Sequence, residues 1–244
     1  PKVPAAFDLF EPAGELHLRD VTGWRAREGV FSYSAVHALL AQDGAGEGGR
    51  QAVPPVPTRG ERDAEEAGAP VTADEDRATN LGSAFHELAQ AMAERGGSVT
   101  GDEVDARASY WNLSARGRAR LAAALARWEG SELRREALGH ALVRAEVPFF
   151  CRADSPYGDY LEGAIDLLAT DPGSPEALLV DYKTGDAGLA VDQVRERHAM
   201  QARFYAQVLA DQGFTHVTCA FVCVEREDPQ RGGQPLVVRY EFGG

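Results

Sequence analysis

Cysteine is scarce in this chain, with only Cys151, Cys219 and Cys223 among 244 residues. Three scattered cysteines build no disulfide framework. There is no run of 18 or more apolar residues and no basic-then-apolar leader. Neither a membrane-spanning helix nor a secretory signal is therefore expected, and the protein reads as soluble, intracellular and cytoplasmic. Basic residues are also in deficit: 25 Lys and Arg face 38 Asp and Glu, for a net charge of −13. Phosphate backbones are gripped by Lys and Arg, so this balance argues against tight nucleic-acid binding by charge alone. A Walker A pattern (G-x-x-x-x-G-K-[ST]) is missing, which excludes an ATPase in this segment. No H-E-x-x-H or paired-His pattern is present, which leaves a transition-metal esterase remote.

What the chain does have is a 44% apolar fraction, enough for a sizeable core. Part of the acidity is local. Between Ala41 and Asn80 nine acids face four arginines, a net −5 that leaves −8 for the remainder. The chain opens on Pro1 rather than methionine, and an excised piece of a longer protein is expected.

Residues 1–40 read as a lead-in, with a strand around Glu15 to Val21 and a short helix over Ala35 to Leu40 capped by Ser32 or Ser34. Residues 41–73 carry Gly, Pro and charge, including Val53-Pro-Pro-Val-Pro57, with no apolar periodicity. They are expected to form a flexible acidic loop. A core follows over 74–244. Leu81, Phe85, Leu88 and Met92 make one buried stripe on a helix from Asp74 to Arg95. Asp102 to Trp111 and Ser114 to Glu129 read as further helices. Strands are expected near 142–151, 159–170 and 177–183, separated by Ser155-Pro-Tyr-Gly158 and Asp171-Pro-Gly-Ser174-Pro. A long helix over 189–212 and strands near 216–225 and 235–242 complete a mixed α/β sheet flanked by helices.

Two carboxylates stand out within this frame. Asp166 lies between Ile165 and Leu167, which are apolar and expected to face a core, and Asp181 lies in Leu178-Leu-Val-Asp181-Tyr-Lys183. Unpaired charges in apolar strands are expensive. Side chains alternate along a strand, so Asp181 and Lys183 share a face while Val180 and Tyr182 take the other. Converging carboxylates without an arginine call for a divalent cation. A lysine beside that cation can orient a water or stabilise charge growing on a phosphate. His86, at the edge of the first helix's stripe, adds a nitrogen that Mn²⁺ or Mg²⁺ sites accept. Glu146 alternates with Arg144 on the preceding strand and could face the site or pair with an arginine. Gln201 and Tyr205, one helical turn apart, share a face. The remaining histidines (His17, His37, His140, His198, His216) have no such setting, and Trp24, Trp111 and Trp128 are expected to pack rather than to stack on bases.

In chain order, Leu81-Gly-Ser-Ala-Phe-His86, Arg144-Ala-Glu146-Val-Pro-Phe, Gly163-Ala-Ile-Asp166, Asp181-Tyr-Lys183-Thr-Gly185 and Gln201-Ala-Arg-Phe-Tyr205 resemble the PD-(D/E)XK nuclease superfamily, in particular its RecB-like branch. The resemblance runs over residues 81 to 225. It implies a restriction-endonuclease-like fold and a Mg²⁺- or Mn²⁺-dependent, exonuclease-like deoxyribonuclease. His86, Asp166, Asp181 and the backbone carbonyl of Tyr182 would hold the metal, and Lys183 would position the attacking water. Glu146 would be an outer carboxylate, and Gln201 and Tyr205 would contact DNA or orient the lysine. Relatives with an iron–sulfur cluster use four cysteines, one of them before the core. This chain has neither the number nor the placement, so no cluster is expected. The branch also implies single-stranded or unwound DNA as substrate and a fused or associated helicase in double-strand-break repair and recombination. The competing expectation is a catalytically silent DNA-binding or partner-binding module of a repair complex.

Overall fold

The computed structural model describes residues 30–32, 78–155 and 158–243. The strand expected near 15–21, the helix at 35–40 and the loop at 41–73 lie outside the described residues.

The first long helix, α1 (Ala78–Arg95), buries the expected stripe of Leu81, Phe85, Leu88 and Met92. Each such side chain contributes roughly 1.5–3 kcal/mol by leaving water. Helix α2 (Gly101–Tyr110) starts at a capping box, in which Thr100 and Glu103 satisfy each other's backbone N–H groups. Helix α3 (Ala115–Glu129) is capped by Ser114 and turns Leu121, Ala124, Leu125 and Trp128 inward. A one-turn-plus helix, α4 (Glu132–Ala137), follows at Ser131. Its shortness hides it from apolar periodicity.

Among the described residues six strands form one sheet: β1 (Val30–Ser32), β2 (Leu142–Ser155), β3 (Gly158–Thr170), β4 (Glu176–Lys183), β5 (His216–Asp228) and β6 (Arg231–Gly243). Strands β2, β3 and β4 form an antiparallel meander. Helix α5 (Val191–Asp211) then carries the chain over to β5, which runs parallel to β4, and β6 returns antiparallel. The expected mixed α/β sheet flanked by helices is the observed architecture. One face packs on α1 to α4 through Leu167, Ala169, Leu178, Val180 and Tyr182. The other packs on α5 through Ile165, Leu168, Leu179 and Phe221. Among the described residues no helix is long and apolar enough to cross a membrane.

Two irregularities shape the middle of the sheet. Strand β3 pairs with β4 only over Leu167 to Thr170 and then diverges; farther along, Tyr160 to Glu162 pair with β1 instead. Asp166 therefore stands at a fork. Opposite it, between the pairs Ala145↔Leu167 and Val147↔Ile165, Glu146 holds a left-handed backbone with φ 51°. The pleat turns over at this level. Val143 and Ala145 face the α1–α4 side while Val147 and Phe149 face α5. Leu167 and Ile165 part in the same way. Simple alternation places both neighbours of Asp166 against one core; they belong to two, and the change of face falls where the β2–β3 pairing is interrupted at Glu146 and Asp166.

Candidate functional site

His86 is held by its surroundings on α1. Phe85 is fully buried beside it, and the imidazole meets the Tyr182 ring edge-on with centroids 5.6 Å apart. Its Nδ1 lies 3.3 Å from Asp166 Oδ1, and both side chains are nearly closed to solvent, at 11% and 12% exposure. At the fork, Asp166 Oδ2 accepts the Tyr182 backbone N–H at 2.7 Å. A carboxylate thus occupies the place of a ladder bond that the diverging strand gave up. Burial pushes the Asp166 carboxyl up, yet the charge and hydrogen bond of His86, the Tyr182 N–H and the Lys183 charge hold it below its ordinary value.

Glu146 completes this group. One ligand atom from each of His86, Glu146 and Asp166 lies within 4.8 Å of the others. Two carboxylate oxygens and an imidazole nitrogen at that spacing form a donor set that fits a hard divalent cation of the Mg²⁺ or Mn²⁺ kind. The reversed pleat at Glu146 brings its carboxylate beside Asp166 on the α1 side of the sheet.

Asp181 and Lys183 form a second group, one residue away. Strand β4 keeps its regular alternation, so Tyr182 enters the α1–α4 core, edge-on to Phe85 and Trp128, while Asp181 and Lys183 look toward α5. The resemblance implies Asp181 as a ligand beside His86 and Asp166. The structure sets Glu146 into that close group and places Asp181 in the adjoining one. Asp181 and Lys183 are 3% and 4% exposed, with Lys183 Nζ 2.8 Å from Asp181 Oδ1. The other carboxylate oxygen accepts the Tyr205 hydroxyl at 2.9 Å and the Gln201 amide at 3.1 Å. Gln201 also donates to the Tyr205 oxygen at 3.0 Å. Helix α5 thereby grips the acid that grips the lysine. Tyr182 joins the two groups, with its N–H on Asp166 and its ring deep in the core, where burial raises the phenol well above its ordinary value.

One buried polar pair here was not foreseen. Asp186, in the 3₁₀ turn after Gly185, sits 2.6 Å from His198 Nε2. His198 had no flanking motif; its place three residues before Gln201, on the same helix face, was the available signal. Trp128 is buried and Trp111 half-buried, whereas Trp24 lies outside the described residues. Cys219 and Cys223 are interior residues of β5, their thiols pushed up to about 12 by burial.

The chain matches no curated protein. A family model does match, over residues 59–239, and it is that of the PD-(D/E)XK nuclease superfamily. The matched span takes in α1 with His86, the forked strands with Glu146 and Asp166, the Asp181-x-Lys183 strand end and the Gln201/Tyr205 helix. On that span and this geometry, the chain belongs to the PD-(D/E)XK nuclease superfamily.

Proposed function

We propose that this domain is a Mg²⁺- or Mn²⁺-dependent deoxyribonuclease acting on single-stranded or unwound DNA. The observation that carries the proposal is the adjacency of two groups: a His86/Glu146/Asp166 donor cluster, and a buried Asp181–Lys183 pair linked to it through the Tyr182 backbone. His86, Glu146 and Asp166 are the principal metal ligands in this reading, and Asp181 and the Tyr182 carbonyl complete the set. A residue's N–H and C=O leave an extended strand on the same side. Since the Tyr182 N–H meets Asp166 in the fork, its carbonyl faces the fork as well. A bound divalent cation would supply charge stabilisation on the scissile phosphate and lower the pKa of water.

The protein's own groups supply the rest. Lys183 orients the attacking water and carries positive charge to the phosphate oxygens as negative charge grows there. Asp181 fixes the lysine by its 2.8 Å ion pair. Gln201 and Tyr205 pin Asp181 from α5, so the lysine's counter-ion cannot swing away. The net charge of −13 favours a domain to which the strand is delivered over one that captures DNA unaided. A fused or associated helicase in double-strand-break processing meets that need, and an exonuclease-like mode fits delivery of a free strand.

A silent binding module is the competing reading. It is disfavoured because each polar position of the resemblance is filled and brought into these two groups. Cleavage of labelled single-stranded DNA with Mg²⁺ or Mn²⁺, by the wild type, Asp181→Ala and Lys183→Ala, tests the proposal. Metal-dependent cleavage lost in both variants is expected. Equal cleavage by all three proteins would overturn it.

A further inference from the structure

Strand β4 ends at Lys183, and only Thr184 and Gly185 separate that lysine from Asp186. Gly185, at φ 114°, turns the chain in a conformation that a side chain would strain. Asp186 then points inward: Oδ2 lies 2.6 Å from His198 Nε2 and Oδ1 lies 3.3 Å from Arg197 Nη1. The His198 ring is buried and lies parallel to Phe221, centroids 5.0 Å apart at 11°. Lys183 Nζ stands 5.6 Å from the centroid of that same phenylalanine ring. Four side chains thus run in contact from Asp186 through His198 and Phe221 to the lysine.

The same helix face holds Asp181. His198, Gln201 and Tyr205 follow one another at helical spacing. Gln201 and Tyr205 bind the acid two residues before Lys183, and His198 binds the acid three residues after it. The lysine is bracketed by two anchors on one rigid element. Packing alone does not call for this arrangement, because a well-packed apolar pair stabilises an interior as well as a buried ion pair does.

We propose that Asp186 and His198 are positioning residues that set the place of Lys183, an inference that rests on the nuclease reading. In this role the pair acts through the turn from which the lysine is presented. Loss of the anchor lets the ammonium shift by a fraction of its length, and displacements near 1 Å cost about 100-fold in rate.

The test compares Asp186→Ala, Asp186→Asn, His198→Ala and His198→Gln with the wild type, each checked for folding by thermal melting. Asparagine can still accept from His198, and glutamine can still donate to Asp186. The two alanine variants are expected to lose kcat by about tenfold to 100-fold, with KM and Mn²⁺ affinity within twofold of wild type, while the amide variants recover most of the loss. A second readout needs no activity. Lys183 is one of two lysines in the chain, the other being Lys2, so its reductive methylation can be followed by mass spectrometry without ambiguity. Slow methylation in the wild type and faster methylation in the alanine variants support the anchor. Alanine variants with unchanged kcat and an equally protected Lys183 overturn it. If the wild type cleaves no DNA, the nuclease reading fails, and the methylation rates alone decide whether the pair anchors the lysine.

Discussion

Replacing Glu146 by glutamine separates the cost of the donor cluster from its use. Without a metal, the Glu146 and Asp166 carboxylates stand within 4.8 Å of each other. Two like charges at that separation repel by about 3 kcal/mol at an effective dielectric of about 20. Partial solvent screening and the adjacent imidazole reduce this to about 1–2 kcal/mol. Glu146→Gln removes the repulsion while keeping the size of the side chain. For a domain of this length about 1–2 kcal/mol corresponds to about 2–8 °C, so the metal-free variant is expected to melt higher than the metal-free wild type. With metal the order reverses. At a concentration about 100-fold above its Kd, Mn²⁺ adds about 2.7 kcal/mol to the wild type, or about 5–11 °C. Outer partners of metal ligands alone are worth about 10–100-fold in affinity, and losing a ligand costs at least the upper end of that range. The variant at the same Mn²⁺ concentration then sits at half saturation or below, and its gain falls to about 0.4 kcal/mol, near 1 °C. Differential scanning calorimetry in EDTA and in Mn²⁺ reads both effects. A Glu146→Gln protein that keeps the full Mn²⁺ shift would refute the assignment of Glu146 to the cluster, and one that melts lower in EDTA would refute the crowding argument.

Tyr205→Phe removes the hydroxyl that donates to Asp181 at 2.9 Å; a bond to a buried charge is worth about 1.5–3 kcal/mol, so a drop of about 3–12 °C in Tm is expected, and an unchanged Tm would show that Gln201 carries the load alone. Acid sensitivity follows from Asp186. Burial raises its carboxyl, but the His198 hydrogen bond and charge, then Arg197 and Lys183, outweigh burial and hold it below the ordinary 3.8. A depressed carboxyl stabilises the fold fully above its unfolded value and loses that contribution as pH falls through the folded value. Stability by urea titration should therefore fall more steeply below pH 3.8 in the wild type than in Asp186→Asn; parallel curves would contradict the pairing.

Much of this molecule was legible because its signals are local and periodic. The stripe of Leu81, Phe85, Leu88 and Met92 marked α1, the apolar run before Asp181 marked β4, and the period of two put Asp181 and Lys183 on one face. Strand limits agreed within a few residues, except where Pro-containing stretches hid an extension: β6 starts at Arg231, ahead of Pro235. The reversal at Glu146 was not legible. Left-handed backbone is ordinarily announced by Gly or Asn, and a glutamate gives no such notice. Its effect is to seat Glu146 beside His86 and Asp166. The Asp186–His198 contact escaped for a different reason: its partners are twelve residues apart on separate elements, and a lone histidine in a helix is ordinarily unremarkable.

The two groups of the site are drawn from successive portions of the chain. His86, Glu146 and Asp166 come from α1, β2 and β3, whereas Asp181, Lys183, Gln201 and Tyr205 come from β4 and α5, beyond the exposed turn at Asp171 to Ser174. During synthesis the donors emerge ahead of the lysine and its helix, but His86 and Asp166 both lean on Tyr182, so the cluster is completed only when β4 arrives. A growing or truncated chain therefore carries at most half of the chemistry, and phosphodiester cleavage would begin only once β4 has zipped onto β3. The same seam is where the polypeptide could be split into two separately made pieces, each inert until the sheet reunites them.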